Sequence, residues 1–241
     1  MKTQPELLIR PSAERFHSKR DWLDSWHTFS FAGHHDPNWM GFGPLLVIND
    51  DTIAAGQGFG MHPHRDMEII TVMVDGALTH TDSMGNSAVL HAGEVQRMSA
   101  GSGIVHSEIN QTGEPCRLLQ IWIEPAQLDI QPAYEQKPFA IGEGWTPLIE
   151  PGASGEAMAI ERRVRLWRAQ PQRQQPLPLP DTEEQLLWIQ VIDGELTLNS
   201  EGSPQQSLRR GDGVGLIQEA ATQGELIGLS ERADVLLFAL A

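Results

Sequence analysis

The chain has a single cysteine, Cys116, among its 241 residues. No disulfide can close within it, which suits a reducing compartment. Basic residues are scarce: 17 Lys and Arg stand against 32 Asp and Glu, a formal net charge of −15. Such a surface repels phosphate backbones and anionic headgroups, which argues against direct nucleic-acid or membrane binding. Long apolar runs are missing as well. No stretch approaches the roughly 18–20 apolar residues that span a bilayer. The opening MKTQPELLIRPSAERF has no apolar segment of signal-peptide length. The expectation is a soluble, cytoplasmic protein. One further shortage is local: all nine histidines lie at or before His106, and the second half has none.

Glycine (23) and proline (16) are frequent, which favours many short elements joined by turns over long helices. Residues 1–55 read as irregular or short-stranded. From Glu68 the pattern turns β-like: EIITVMVDG is rich in β-branched residues and ends on the turn signal Asp75-Gly76. Strands follow at short intervals to LLQIWI (118–123), which suggests a barrel or sandwich. Residues 125–180 look less regular, and the proline-rich 171–180 reads as an extended connector. Strands resume with LLWIQVIDGELTLN and end with VLLFALA.

The second half echoes the first. Asp75-Gly76 matches Asp193-Gly194, and Gly93-Glu94 matches Gly211-Asp212, each pair 118 positions apart. Two turns with equal spacing predict a duplicated β unit. The division expected is a metal-binding domain over 1–135 and a degenerate copy over 136–241. Under the offset, His62, His64, His106 and Glu108 fall on Pro180, Thr182, Gly224 and Leu226. One copy holds a cluster of ligand types and the other has lost it.

Alternate residues of a strand point to the same face. His62-Pro63-His64 therefore presents two imidazoles on one side of a sheet, and His106-Ser107-Glu108 an imidazole and a carboxylate. An HxH pair alone is weak, since it fits an exposed strand equally well. The second pair strengthens it, as do Gly56, Gly58 and Gly60 before the first and Gly101 and Gly103 before the second, which suggest tight turns and close backbone approach. Three imidazoles and a carboxylate make a mixed N/O site suited to Fe(II), Mn, Co, Ni, Cu or Zn. His80 and His91 read as structural or surface residues, His34 and His35 as candidates for a cavity mouth, and Cys116 as an inert small residue.

These spacings resemble the cupin superfamily: Gly56, His62-x-His64, Glu68 and Gly76 match its first motif, and Gly93, Gly101, His106 and Asn110 its second. Seven residues rather than six separate Glu68 from Gly76, Ser99 replaces the usual proline, and four residues rather than two separate Gly101 from His106. The strings HPHRDMEI, HTDSMGN, MSAGSGIVHSE and WHTFSFAGHHDP resemble the pirin family, whose bacterial members include proteins described as quercetin 2,3-dioxygenases. The resemblance implies an all-β bicupin of two double-stranded β-helix barrels with one divalent metal, Fe(II) first, in the N-terminal barrel. It makes Glu108 the fourth ligand and general base, whereas ordinary cupins use the glutamate at Glu68. It implies a flavonol and O2 as substrates, with ring opening and loss of carbon monoxide. A non-enzymatic iron-dependent redox sensor or transcriptional co-regulator acting through a protein partner is the main alternative, and a cupin isomerase or hydrolase is a third.

Overall fold

A computed structural model describes residues 6–153, 155–200, 203–217 and 224–241. It forms two compact units, Arg15–Phe139 and a second made of Met1–Glu14 with Ala140–Ala241. The first strand, β1 (Glu6–Arg10), belongs to the second unit, where it pairs antiparallel with Gly213–Ile217.

The N-terminal unit holds β2 (Phe16–Lys19), β3 (Leu23–His27), β4 (Leu45–Ile53), β5 (Gly58–His64), β6 (Glu68–Asp75), β7 (Ala77–Asp82), β8 (Ser87–His91), β9 (Glu94–Ser99), β10 (Ile104–Ile109), β11 (Cys116–Ile123) and β12 (Ala133–Pro138). They make a seven-stranded sheet, β12-β9-β6-β11-β4-β3-β2, and a four-stranded sheet, β5-β10-β7-β8.

The C-terminal unit continues with β13 (Thr146–Pro151), β14 (Met158–Ile160), β15 (Val164–Ala169), β16 (Pro176–Pro178), β17 (Leu186–Asp193), β18 (Glu195–Ser200), β19 (Gln206–Arg209), β20 (Gly213–Ile217), β21 (Gly224–Gly228) and β22 (Asp234–Leu240). Its sheets run β1-β20-β17-β22-β15-β13-β14 and β16-β21-β18-β19. The two small sheets match strand for strand, and the two large ones match through their centres. The duplicated turns agree in detail: Gly76 and Gly194 have φ of +72° and +75°, and Gly93 and Gly211 of +85° and +86°. Only glycine adopts these angles freely. This is the all-β bicupin that the repeat and the motifs implied.

Two sequence readings need correction. The region 1–55 is not merely short-stranded, because β4 is a nine-residue strand in the core of the large sheet. The acids Asp50 and Asp51 disguised it. Both are buried, but Arg117 donates to Asp50 through Nε and Nη2 at 2.8 and 2.9 Å, and Ser25 donates to Asp51. A paired acid can lie inside where an unpaired one cannot. The proline-rich segment is also more than a connector. Pro176–Pro178 forms the edge strand β16, a position that tolerates residues with no N–H to donate.

The interiors of the two barrels differ in one layer. On β6, Ile69 and Met73 belong to two separate apolar clusters, and Thr71 lies between them on the same face. Thr71 faces Gln120 across β11, just as Met73 faces Leu118 and Ile69 faces Trp122. His80 and Asp82 on β7 and His106 and Glu108 on β10 complete a buried polar layer. In the C-terminal barrel the same face is one continuous apolar cluster, including Ile189, Leu237, Leu198 and Leu226. Leu226 occupies the position equivalent to Glu108. One barrel fills its centre with hydrocarbon, and the other holds buried polar side chains there.

Candidate metal centre

Strands β5 and β10 run antiparallel, with His62 directly opposite His106 and His64 opposite Ile104. The register slips between His106 and Glu108, so Glu108 faces Phe59. Such a bulge re-aims side chains at a functional site. The imidazole centroids form a triangle: His62–His106 4.4 Å, His62–His64 4.8 Å and His64–His106 4.9 Å. One nitrogen from each lies within 4.8 Å of the others. Backbone approach at Gly58 brings the strands this close, since a Cβ there would sit 2.7 Å from Ile109 Cα and closer still to the Glu108 carbonyl. Gly58→Ala is therefore expected to prise β5 from β10, costing roughly 1–3 kcal/mol as other overpacked sites do. Thermal unfolding should show the loss. Metal titration should show weakened binding, because His62 and His64 ride on the displaced strand.

The three imidazoles fit a transition metal. His106 is fully buried, and its Nε2 has no hydrogen-bond partner among the described residues. An orphaned buried nitrogen is costly unless something ligates it. His62 donates from Nδ1 to the Gly60 carbonyl at 2.7 Å, which leaves Nε2 bare. Burial and the neighbouring His62 hold the pKa of His64 down at about 4. Burial, with His62, His64 and His80 beside it, lowers that of His106 to about 3. Both rings stay neutral at physiological pH, the state in which an imidazole ligates. Trp122 meets His64 edge-on at 5.1 Å and Phe31 at 5.5 Å, an aromatic wall on one side.

Glu108 is buried and lies in a second, overlapping group with His80 and His106, again within 4.8 Å. Gln120 Nε2 donates to its Oε2 at 2.7 Å and Thr71 Oγ1 to its Oε1 at 3.3 Å. Burial raises the pKa of Glu108, offset in part by His80, His62 and these hydrogen bonds. Glu68 opens β6 after a turn in which Asp66 has φ of +48°. It is buried, accepts from Ser99 Oγ at 2.7 Å and lies 3.9 Å from Arg97. Asn110 clamps the following turn, donating to the Ile53 and Glu114 carbonyls.

His80, read from the sequence as a structural or surface residue, is structural. It is 1% exposed, stacks on Tyr134 at 4.5 Å, and its Nδ1 approaches His106 Nδ1 at 3.5 Å. The signal was the spacing His80-x-Asp82, the same alternation as the other two motifs. His91 is exposed, as expected. His34 bonds Ser18 Oγ at 3.0 Å and stacks on Phe16. Cys116 is buried, and burial pushes its thiol up to about 11, so it is inert.

The family profile described as Pirin matches residues 10–123, and that of the quercetinase C-terminal cupin domain matches 148–240. The chain is 42% identical over 235 residues to the quercetin 2,3-dioxygenase of Escherichia coli strain K12, covering 97% of this chain and 98% of the relative. The chain belongs to the pirin family. Among solved structures, YhhW from Escherichia coli superimposes on this pirin with a TM-score of 0.90 at 42% identity, with 98% of each chain covered. A second structure, of bacterial pirin YhhW in complex with nickel(II), gives 0.88 at the same identity, covering 98% of this pirin and 99% of that chain. No helix among the described residues of this pirin is long and apolar enough to cross a membrane.

Proposed function

We propose that this pirin is a metal-dependent dioxygenase that opens the ring of a flavonol with O2. His62, His64 and His106 would hold one divalent metal, and Glu108 would act as fourth ligand and base. The observation that carries the reading is the buried, unpartnered His106 Nε2, grouped with the imidazoles of His62 and His64 and beside a carboxylate of raised proton affinity. The names of its relatives support the substrate class.

A bound metal would supply Lewis acidity to the flavonol's adjacent hydroxyl and carbonyl oxygens and favour the deprotonated substrate. The residues do the rest. Glu108 takes the hydroxyl proton, and burial suits it to that task by raising its affinity for a proton. Gln120 and Thr71 fix the carboxylate so that a free oxygen lone pair, and not a rotamer search, meets the substrate. Trp122 and Phe31 offer flat apolar surface to an aromatic ring. In the net reaction both atoms of O2 enter the products, and one ring carbon leaves as carbon monoxide.

Metal-loaded protein with a flavonol is expected to consume O2 and release carbon monoxide in equal amounts, with saturation in flavonol and no turnover under anaerobic conditions. A loaded protein that binds flavonol without consuming O2 would reject the dioxygenase reading and favour a non-enzymatic role.

A further inference from the structure

Behind His106 lies a chain of buried polar groups that the proposed reaction does not use. Asp82 Oδ1 accepts from the backbone N–H groups of Met84 and Asn86 at 2.9 and 3.0 Å. Its Oδ2 accepts from Asn86 Nδ2 at 2.8 Å and meets His80 Nε2 at 3.0 Å. Burial favours the protonated acid, but the hydrogen bonds from Asn86, His80 and Met84 prevail and hold its pKa below the usual range. An ionised carboxylate can only accept. His80 therefore donates from Nε2 to Asp82, and the Nε2–H tautomer of His80 has a bare Nδ1. That bare Nδ1 lies 3.5 Å from His106 Nδ1. The pair forms a hydrogen bond only if His106 is the donor, with its proton on Nδ1. The remaining nitrogen, Nε2, is then left as a lone pair.

We propose that Asp82 and His80 are positioning residues that set the tautomer of His106 and hold its Nε2 ready for the metal. His80 is not a ligand, because both its nitrogens are committed to Asp82 and His106. Tyr134, stacked on His80 at 25° between ring planes, fixes the middle of the chain. Strand pairing sets the ends, since Asp82 lies opposite His106 and His80 opposite Glu108. Partners of this kind fix the orientation of a ligating imidazole and raise its basicity. The inference rests on the reading that His62, His64 and His106 hold a metal, but its tautomer can be read without one.

The test is imidazole 15N NMR on the full-length, metal-free protein, with His106 assigned by its disappearance in His106→Ala. The parent is expected to show His106 protonated on Nδ1 only. In Asp82→Asn the new amide can donate to His80 Nε2. That would reverse His80, and His80 would reverse His106, placing the proton on Nε2. Ni(II) affinity should fall about 10- to 100-fold, the usual effect of losing such a partner. His80→Phe keeps a ring against Tyr134 but removes the acceptor, and should lose affinity to a similar extent. A parent protonated on Nε2, or Asp82→Asn with unchanged tautomer and affinity, would overturn the proposal. So would His80→Phe abolishing Ni(II) binding as fully as His106→Ala, which would make His80 a ligand. A parent with the expected tautomer that binds no Ni(II) would sink the metal reading and leave the tautomer chain standing.

Discussion

His62→Ala and His106→Ala are each expected to strip the protein of its transition metal while leaving its β-sheet circular dichroism unchanged. On the proposed reading three nitrogens would hold the metal, and removing one would delete a bond to it. The loss should exceed the roughly 10- to 100-fold effect of losing an outer partner. The fold should survive because the ligands stand on strands supported independently by two apolar clusters, one with Ile53, Met73 and Leu118 and one with Ile69, Met98 and Ile104. This differs from a small zinc domain, whose metal-binding energy is its folding energy. His62 is half-buried at the rim, so its truncation opens little cavity. Metal content and circular dichroism measured on the same samples decide the matter. Full occupancy in either variant would remove that histidine from the site.

Glu108→Gln is expected to lower flavonol turnover per bound metal by roughly 10²- to 10⁴-fold, the range for loss of a general base. Gln keeps the shape but has no anionic oxygen to accept a proton. It also turns an N–H₂ group toward Gln120 or Thr71, which now donate to Glu108. Glu68→Gln is expected to stay within a few-fold of the parent. Its amide oxygen can still accept from Ser99, the residue Glu68 now contacts at 2.7 Å. Equal normalised turnover in Glu108→Gln and the parent would refute the base assignment. Loss confined to Glu68→Gln would restore the ligand pattern of ordinary cupins.

The three imidazoles were legible because strand alternation converts HxH into a shared face without knowledge of the fold. Their meeting was legible only through the resemblance, since nothing local states that 62 and 106 are opposed. The duplication was readable from two glycine-bearing turns, where φ near +75° and +85° leaves few alternatives to glycine. Strand β4 was hidden because its acids find partners on the strands beside it: Arg117 on β11 pairs with Asp50, and Ser25 on β3 donates to Asp51. The allegiance of β1 to the second unit was equally invisible: ELLIR reads as any short strand, and only pairing with Gly213–Ile217 places it. Which of the two readings of His80 holds, structural or surface, was open in the sequence for a related reason. A histidine on an alternating strand is ordinarily a surface residue, and its value here comes from Tyr134 and His106, which reach it from other strands.

The most direct test is anomalous X-ray diffraction from crystals of the nickel-loaded protein, collected on both sides of the nickel absorption edge. The expected result is one peak per chain, bounded by His62, His64 and His106 on the Glu108 side, with no peak in the barrel that carries Leu226. A peak held by His80 and Glu108 without His62 and His64, or a site in the C-terminal barrel, would contradict the central claim.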